Sequence, residues 1–467
     1  MTVNQRFTVN LICAMYNYIN NARVTTICCF LSYCLLLIGC KSTTPDPLQD
    51  LSTDQIATVQ ALNNVIFPIQ DANPSRDFTD LSPLDTLLAK AQLVGMGEGT
   101  HGTREFFQMK DRLFRYLVQK HGFQTIAFEA NFGRSVIVNR FLHGQTSNLA
   151  SATDAAKSMY FWTWSTDEVR ELLQWMKEYN MTKSANQQLS FYGFDCQYAD
   201  DEFPLIREFL SKVDPLSLPK ADSLSSLYKL TANSSATDSI RQQYGQQIQS
   251  LYNSFVRNEN KWASQGGQQD YEIARQAARI LIQLQDLTSG DNCNYFIKRD
   301  KYMAENVQWM LTNMHIDKVS LWAHNYHISS LSNGSCNQPS MGGYLKNQLK
   351  DKYLTICTLF TNGTFTVRDA SASNAPLTQL SAHTGDVKTS FNNLFGKVKY
   401  VNFGLNLNQG QLDPTIKSWL DTNSPLLEVG ATFDQSKASQ YYSVTALKGR
   451  FDILLHFRDT SPSQLLP

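Results

Sequence analysis

Short, mostly apolar runs recur along the chain, separated by longer stretches whose apolar residues repeat at a helical period. The runs predict strands at Gln92–Met96, Gln124–Phe128, Leu189–Phe194 and Lys318–Ala323. Further strands are expected at Tyr353–Phe360 paired with Thr364–Arg368, at Val398–Leu405, at Leu426–Phe433, and at Phe451–Phe457, which closes the sheet. Helices are predicted over Asp54–Val65, Leu84–Ala91, Phe106–Lys120, Arg134–Leu142, Glu168–Tyr179, Arg299–Met314 and Met341–Leu349. In the third of these, Phe106, Lys110, Leu113, Phe114 and Leu117 share one face at i, i+4, i+7, i+8 and i+11. Lys110 thus lies on an apolar stripe, where a cation is costly unless paired. Strands alternating with helices imply an α/β fold with a mostly parallel sheet flanked by helices. Residues 202–290 break this rhythm: they are polar, helical and without strand signal, and read as a helical insertion. Residues 370–397 read as loop-rich.

The N-terminus carries a different pattern. Val24–Gly39 is apolar and uncharged, is preceded by Arg23 and ends in Leu37-Ile38-Gly39-Cys40. At about 16 residues it is shorter than the ~20 a spanning helix needs, and it suits a signal-peptide core. The tetrapeptide is similar to a bacterial lipobox, so Cys40 is the expected lipidation site. This gives a signal at 1–40, a tether at 41–51 and a domain at 52–467, exported and lipid-anchored to the cell envelope. Lys+Arg and Asp+Glu each number 41 in 467 residues, so nothing points to nucleic acid as a partner. Of nine cysteines, Cys196, Cys293, Cys336 and Cys357 lie beyond Cys40. Cys293 and Cys336 sit in polar contexts, and a disulfide between them is plausible in an oxidising compartment. Cys196 and Cys357 read as buried thiols.

Four predicted strands stop at ionisable residues: Glu98 with His101, Glu129, Asp195, and His324 with His327. Carboxyl ends of parallel strands fall on one sheet edge, where open α/β sheets bind ligands. The set is therefore expected to converge, although the chain separates its members widely. There is no Gly-x-Ser-x-Gly elbow, phosphate loop or dinucleotide fingerprint. A histidine flanked by carboxylates suits general-base activation of water, and a second histidine or Lys110 could stabilise the developing anion. The same residues could instead ligate zinc or manganese, although Glu98-x-x-His101 is not the HExxH pattern. The aromatic run Tyr160-Phe161-Trp162-Thr163-Trp164 is open to two readings, core packing or a cleft wall with Trp162 touching substrate.

The stretch Gly97-Glu98-Gly99-Thr100-His101-Gly102-Thr103-Arg104-Glu105-Phe106-Phe107 resembles the signature of the erythromycin esterase family. So do His121-Gly122-Phe123, Phe128-Glu129-Ala130, Tyr192-Gly193-Phe194-Asp195, Arg299-Asp300, Trp322-Ala323-His324-Asn325-Tyr326-His327 and Arg450-Phe451-Asp452, in order. The resemblance spans about residues 80–460. It implies hydrolysis of a macrolide lactone by a histidine-activated water; with the residue set, the leading expectation is a carboxylic ester or lactone hydrolase that needs no cofactor, a divalent metal being the other possibility. It assigns Glu98, His101 and Glu129 to an acid–histidine–acid set, and His324 and His327 to a second histidine motif. It puts Lys110 where the family often has arginine, and matches Asp195, Arg299 and Asp300 to motif positions. Lys110, Asp195, Trp162 and Arg299 are the candidate substrate-binding residues. A metal-dependent hydrolase on the same cluster and a non-catalytic envelope-binding lipoprotein are the alternatives.

Overall fold

Glu98, Glu129, Asp195 and His324 end four strands that lie side by side. They belong to a computed structural model that describes residues 48–145, 148–231, 236–288, 292–331, 338–408 and 412–467. The expected signal, lipobox and most of the tether lie outside the described residues, as does Cys336. Thr53–Pro467 forms one unit.

Its strands are β1 (Phe67–Pro68), β2 (Leu93–Glu98), β3 (Thr125–Asn131), β4 (Ser190–Asp195), β5 (Val319–His324), β6 (Tyr353–Asp369), β7 (Leu377–His383), β8 (Asn402–Asn406), β9 (Ser424–Leu427), β10 (Thr432–Phe433), β11 (Tyr442–Thr445) and β12 (Ile453–Thr460). Among the described residues, ten of these form one sheet in the order β1-β8-β12-β6-β2-β5-β3-β4, with β7 and β10 added to β6. The run from β12 to β4 is parallel throughout. β8 is antiparallel to β12, and β7 to β6. β2, β3 and β5 are buried at every position, as strands covered by helices on both faces must be.

Four expectations change. The strand expected at Leu426–Phe433 is two short ones, β9 paired with β11 in a separate two-stranded sheet and β10 paired with β6. Tyr353–Arg368 is one long strand rather than a pair. Its first half is buried inside the sheet and its second half runs on to pair with β7, so no turn is needed at Asn362-Gly363. The stretch read as loop-rich contains β7 and a short helix, Phe391–Phe395. The last strand, β12, lies inside the sheet between β8 and β6 instead of closing it.

Helix Arg104–His121 packs its apolar face on the sheet, burying Phe106, Lys110, Leu113, Phe114 and Leu117. It ends at Gly122, whose φ of 72° is the left-handed cap that glycine adopts without penalty. Residues 202–287 fold into the helices Glu202–Val213, Leu218–Thr231, Asp238–Arg257, Glu259–Gly266 and Gln268–Leu287. Helix Asn292–Thr312 then returns the chain to the sheet. Cys293, near its start, is disulfide-bonded. Cys196 and Cys357 are buried free thiols. No described helix is long and apolar enough to cross a membrane.

Candidate active site

The adjacency β2-β5-β3-β4 brings the strand-end residues to one edge. Glu98 and His324 are register partners across β2 and β5. On β3 the register to β4 slips by one residue between Phe128 and Asn131. That bulge re-aims Glu129, as such irregularities do beside sites.

The loop after β2 positions His101. The Glu98 carboxylate is fully buried and engaged on both oxygens. Oε1 lies 2.7 Å from His101 Nδ1, while Oε2 accepts from Lys110 Nζ at 2.6 Å and Trp322 Nε1 at 3.0 Å. Burial alone would raise the Glu98 pKa, but Lys110 and His101 outweigh it and hold it below the usual carboxylate range. As an ionised acceptor, Glu98 takes the Nδ1 proton of His101, leaving His101 Nε2 with its lone pair. Lys110 also donates to the Ala323 carbonyl at 3.0 Å. Burial brings it down to about 8, against the opposing pull of Glu98. Gly102 closes the loop: a Cβ there would lie 1.9 Å from the Thr366 carbonyl oxygen, so only glycine fits.

His324 begins the short helix Asn325–Ile328, and its Nδ1 accepts the Tyr326 backbone N–H at 3.2 Å. Its proton therefore sits on Nε2, which is buried and has no hydrogen-bond partner. Burial, reinforced by His101, pushes His324 down to about 4, so the ring is neutral at physiological pH. The His101 and His324 rings lie 5.1 Å apart. The site thus sets a bare acceptor beside an unused donor.

A second cluster adjoins this pair. Arg299 donates to Glu129 Oε1 at 2.6 Å and to Asp195 at 2.8 and 3.1 Å. His327 lies between Glu129 (Nε2, 3.2 Å) and Asp300 (Nδ1, 2.9 Å). Burial disfavours its charge, but Glu129 and Asp300 prevail and raise it to about 10. Arg299 Nη1 approaches His327 Nε2 to 3.2 Å. With His327 protonated this is a contact between two donors that share Glu129, not a hydrogen bond. Glu129 is held well below the carboxylate range, with His327 and Arg299 overcoming its burial, and its Oε2 accepts the His324 backbone N–H at 3.1 Å.

A cleft of about 190 Å³ is lined by His101, Glu129 and Arg299 of these clusters together with an aromatic wall of Phe161, Trp162 and Trp164. Of the expected substrate-binding residues, Trp162 and Arg299 line it. Lys110 and Asp195 have no exposed surface and meet the cleft through other residues, Lys110 by way of Glu98 and His101, Asp195 by way of Arg299 and Gln197. The sequence reading missed Thr163, which donates to the His101 carbonyl at 2.8 Å, and Gln197, which lines the cleft and bonds Asp195. It also missed the C-terminal segment. There Ser463 N donates to Gly102 O at 2.8 Å, Asp167 N to Gln464 O at 2.7 Å and Leu466 N to Ser165 O at 3.0 Å. These bonds lace the His101 loop to the aromatic wall, and no local pattern in a serine- and proline-containing tail signals them.

The profile of the Erythromycin esterase family matches residues 118–460. The chain belongs to the erythromycin esterase family. Erythromycin esterase type II of Escherichia coli is 25% identical over 315 residues, 62% of this chain and 74% of that protein. A Bacillus cereus protein of solved structure superposes with a TM-score of 0.79 at 24% identity, over 88% of this chain and 99% of that one. An erythromycin esterase mutant, EreC, in its open conformation superposes with a TM-score of 0.65 at 17% identity, over 86% and 99%. These neighbours share the mixed α/β fold with its central, mostly parallel sheet. Membership in the family supports a hydrolase.

Proposed function

We propose that the protein cleaves a carboxylic ester or lactone with a water activated by His101. The observation that carries the reading is the pair of hydrogen bonds that set the two tautomers. Glu98 takes the Nδ1 proton of His101 and bares Nε2, while Tyr326 takes up Nδ1 of His324 and leaves its Nε2–H unused. A water in the cleft gives its proton to His101 Nε2 as its oxygen attacks the carbonyl carbon. The imidazolium that forms is stabilised by Glu98, which Lys110 and Trp322 keep ionised and aligned. We assign the oxyanion donor to His324 Nε2–H, which lies beneath the cleft lining beside His101 in the free protein and would meet the carbonyl oxygen only once substrate enters, in a buried place where such a bond is strong. The carbon–oxygen bond to the leaving alcohol then breaks, and His101 returns the proton to that alkoxide. Carboxylic acid and alcohol are the products.

This chemistry runs without a metal in our reading, because the acidic groups already have cationic partners. Lys110 occupies Glu98, and Arg299 and His327 occupy Glu129. Among the described residues, no group of three or more His, Cys, Asp or Glu could hold a metal ion. The proposal extends to place: the apolar run ending at Cys40 supports an exported, lipid-anchored enzyme.

The test is hydrolysis of aryl esters and macrolide lactones by purified protein. His101→Ala should lower kcat/KM by about 10²–10⁴, the span of general-base catalysis. Chelator should leave the rate unchanged. An inactive protein, or activity indifferent to His101→Ala, overturns the reading, and loss of activity on chelation overturns its metal-free form.

A further inference from the structure

The β2–β6 ladder stops at the pair Met96 and Ile356, short of Glu98, whereas β2 stays paired to β5 as far as Glu98 and His324. β6 runs on past that point, so the buried backbone of Thr358 has no strand partner on the β2 side. The Asn325 side chain takes that place. Its Nδ2 donates to Thr358 O at 3.0 Å and its Oδ1 accepts from Thr358 N at 3.3 Å. One fully buried amide thus satisfies both backbone groups, as a neighbouring strand would. Thr358 Oγ1 completes the tie by donating to Gly97 O at 2.9 Å.

The glycines on either side of Glu98 make room for this amide. A Cβ at Gly97 would lie 2.2 Å from Asn325 Oδ1, and one at Gly99 would lie 3.0 Å from Thr358 O and 3.6 Å from Asn325 Nδ2. Glu98 therefore stands between two positions kept bare where Asn325 crosses to β6.

Asn325 is also the residue between His324 and Tyr326, whose backbone N–H bonds His324 Nδ1 at 3.2 Å and so selects its tautomer. The Asn325 carbonyl accepts the Ser329 N–H at 3.1 Å and closes the turn. Tying Asn325 to Thr358 fixes both the backbone that carries His324 and the N–H that sets its ring. The reaction depends on that placement. His101 and His324, with ring centroids 5.1 Å apart, act on one carbonyl group, and a displacement of about 1 Å between acting groups can cost roughly 100-fold in rate.

We propose that Asn325 is a positioning residue, an amide wedge that uses β6 as its base to hold His324 in register with Glu98 and His101. The role rests on the hydrolase reading above.

The test combines kinetics with a direct view of the ring. In the purified protein, Asn325→Ala should lower kcat for an aryl ester about 100-fold with KM little changed. Imidazole nitrogen NMR should show the Nε2–H tautomer of His324 in the parent protein give way to a mixture of tautomers in the variant, which a loss of stability alone does not produce. In the His324→Ala background, Asn325→Ala should change kcat by less than about twofold, because a residue that acts through His324 has nothing left to position. Asn325→Asp keeps the shape and the acceptor for Thr358 N–H, serves where the alanine protein does not fold, and should lose about tenfold in kcat. A folded Asn325 variant with parental kcat, an unmoved tautomer, or losses that multiply in the double variant overturns the role and leaves the hydrolase reading standing. So does failure of both variants to fold, which makes the amide a need of the fold. A parent protein without esterase activity defeats the hydrolase reading, and the tautomer measurement then decides on Asn325 by itself.

Discussion

Replacing Lys110 by Met tests whether the buried Lys110–Glu98 pair is what keeps the His101 base in order. Both side chains have zero exposure, and the ammonium lies 2.6 Å from Glu98 Oε2. Methionine fills similar volume without charge, so Glu98 would retain only the Trp322 and His101 donors. Removing one partner of a buried ion pair typically costs about 3–5 kcal/mol, most of it the penalty on the charge left behind. Glu98 can escape that penalty only by taking up a proton, which removes the anion that supports the His101 imidazolium. The single variant should therefore be destabilised by about 3–5 kcal/mol and lose roughly a hundredfold in kcat, within the span of general-base catalysis. Adding Glu98→Gln removes the stranded charge, so the double variant should recover most of the stability and none of the activity. Urea unfolding of the four proteins in the cycle gives the coupling, and ester hydrolysis gives the rates. A double variant as unstable as the single one, or a Lys110→Met protein with normal kcat, refutes the reasoning.

Three further outcomes follow from the same geometry. Glu202 is fully buried, accepts from Asn131 Nδ2 and Gly133 N on one oxygen and has no partner on the other; burial lifts it to about 8. A carboxyl whose folded pKa is raised binds its proton more tightly when folded, so stability falls as pH rises from about 4.5 to 8. Glu202→Gln should abolish that fall, and the unfolding free energies of the two proteins from urea titrations should diverge between pH 5 and pH 9, by an amount on the order of 4 kcal/mol; parallel curves would refute it. His324→Ala should lower kcat about 10²–10³-fold, as loss of an oxyanion donor does, with KM little changed, and His324→Gln should recover part of it; an unchanged kcat in His324→Ala removes His324 from the mechanism. Gly102→Ala forces the His101 loop off the Thr366 carbonyl, so it should lower both melting temperature and kcat; a fully active variant would show that the loop tolerates the shift.

The sequence by itself determined the parts that depend on short-range pattern. The apolar runs at Leu93–Met96, Thr125–Phe128, Phe191–Phe194 and Val319–Ala323 became strands because only a sheet covered on both faces buries every residue of such a run. The i, i+4 spacing of Phe106 and Lys110 put a lysine into the core, and the cost of an unpaired buried charge pointed to a carboxylate partner. That four parallel strands stop at ionisable residues was enough to expect convergence. The tertiary structure decided the rest. Which strands are neighbours, and so that His324 faces Glu98 while Asp195 stands behind Arg299, follows from long-range pairing, across 104 residues for Arg299 with Asp195 and 224 for Trp322 with Glu98. The unbroken 17-residue β6 and the interior position of β12 were hidden because a turn-like Asn-Gly inside a strand and a terminal strand carry no mark of their sheet neighbours. The tautomers of His101 and His324, and with them the division into base and donor, are set by single hydrogen bonds, one accepted by Glu98 and one donated by Tyr326 N–H. No pattern of residue types encodes those bonds, because hydrogen bonding depends on angles and distances that exist only once the chain has folded.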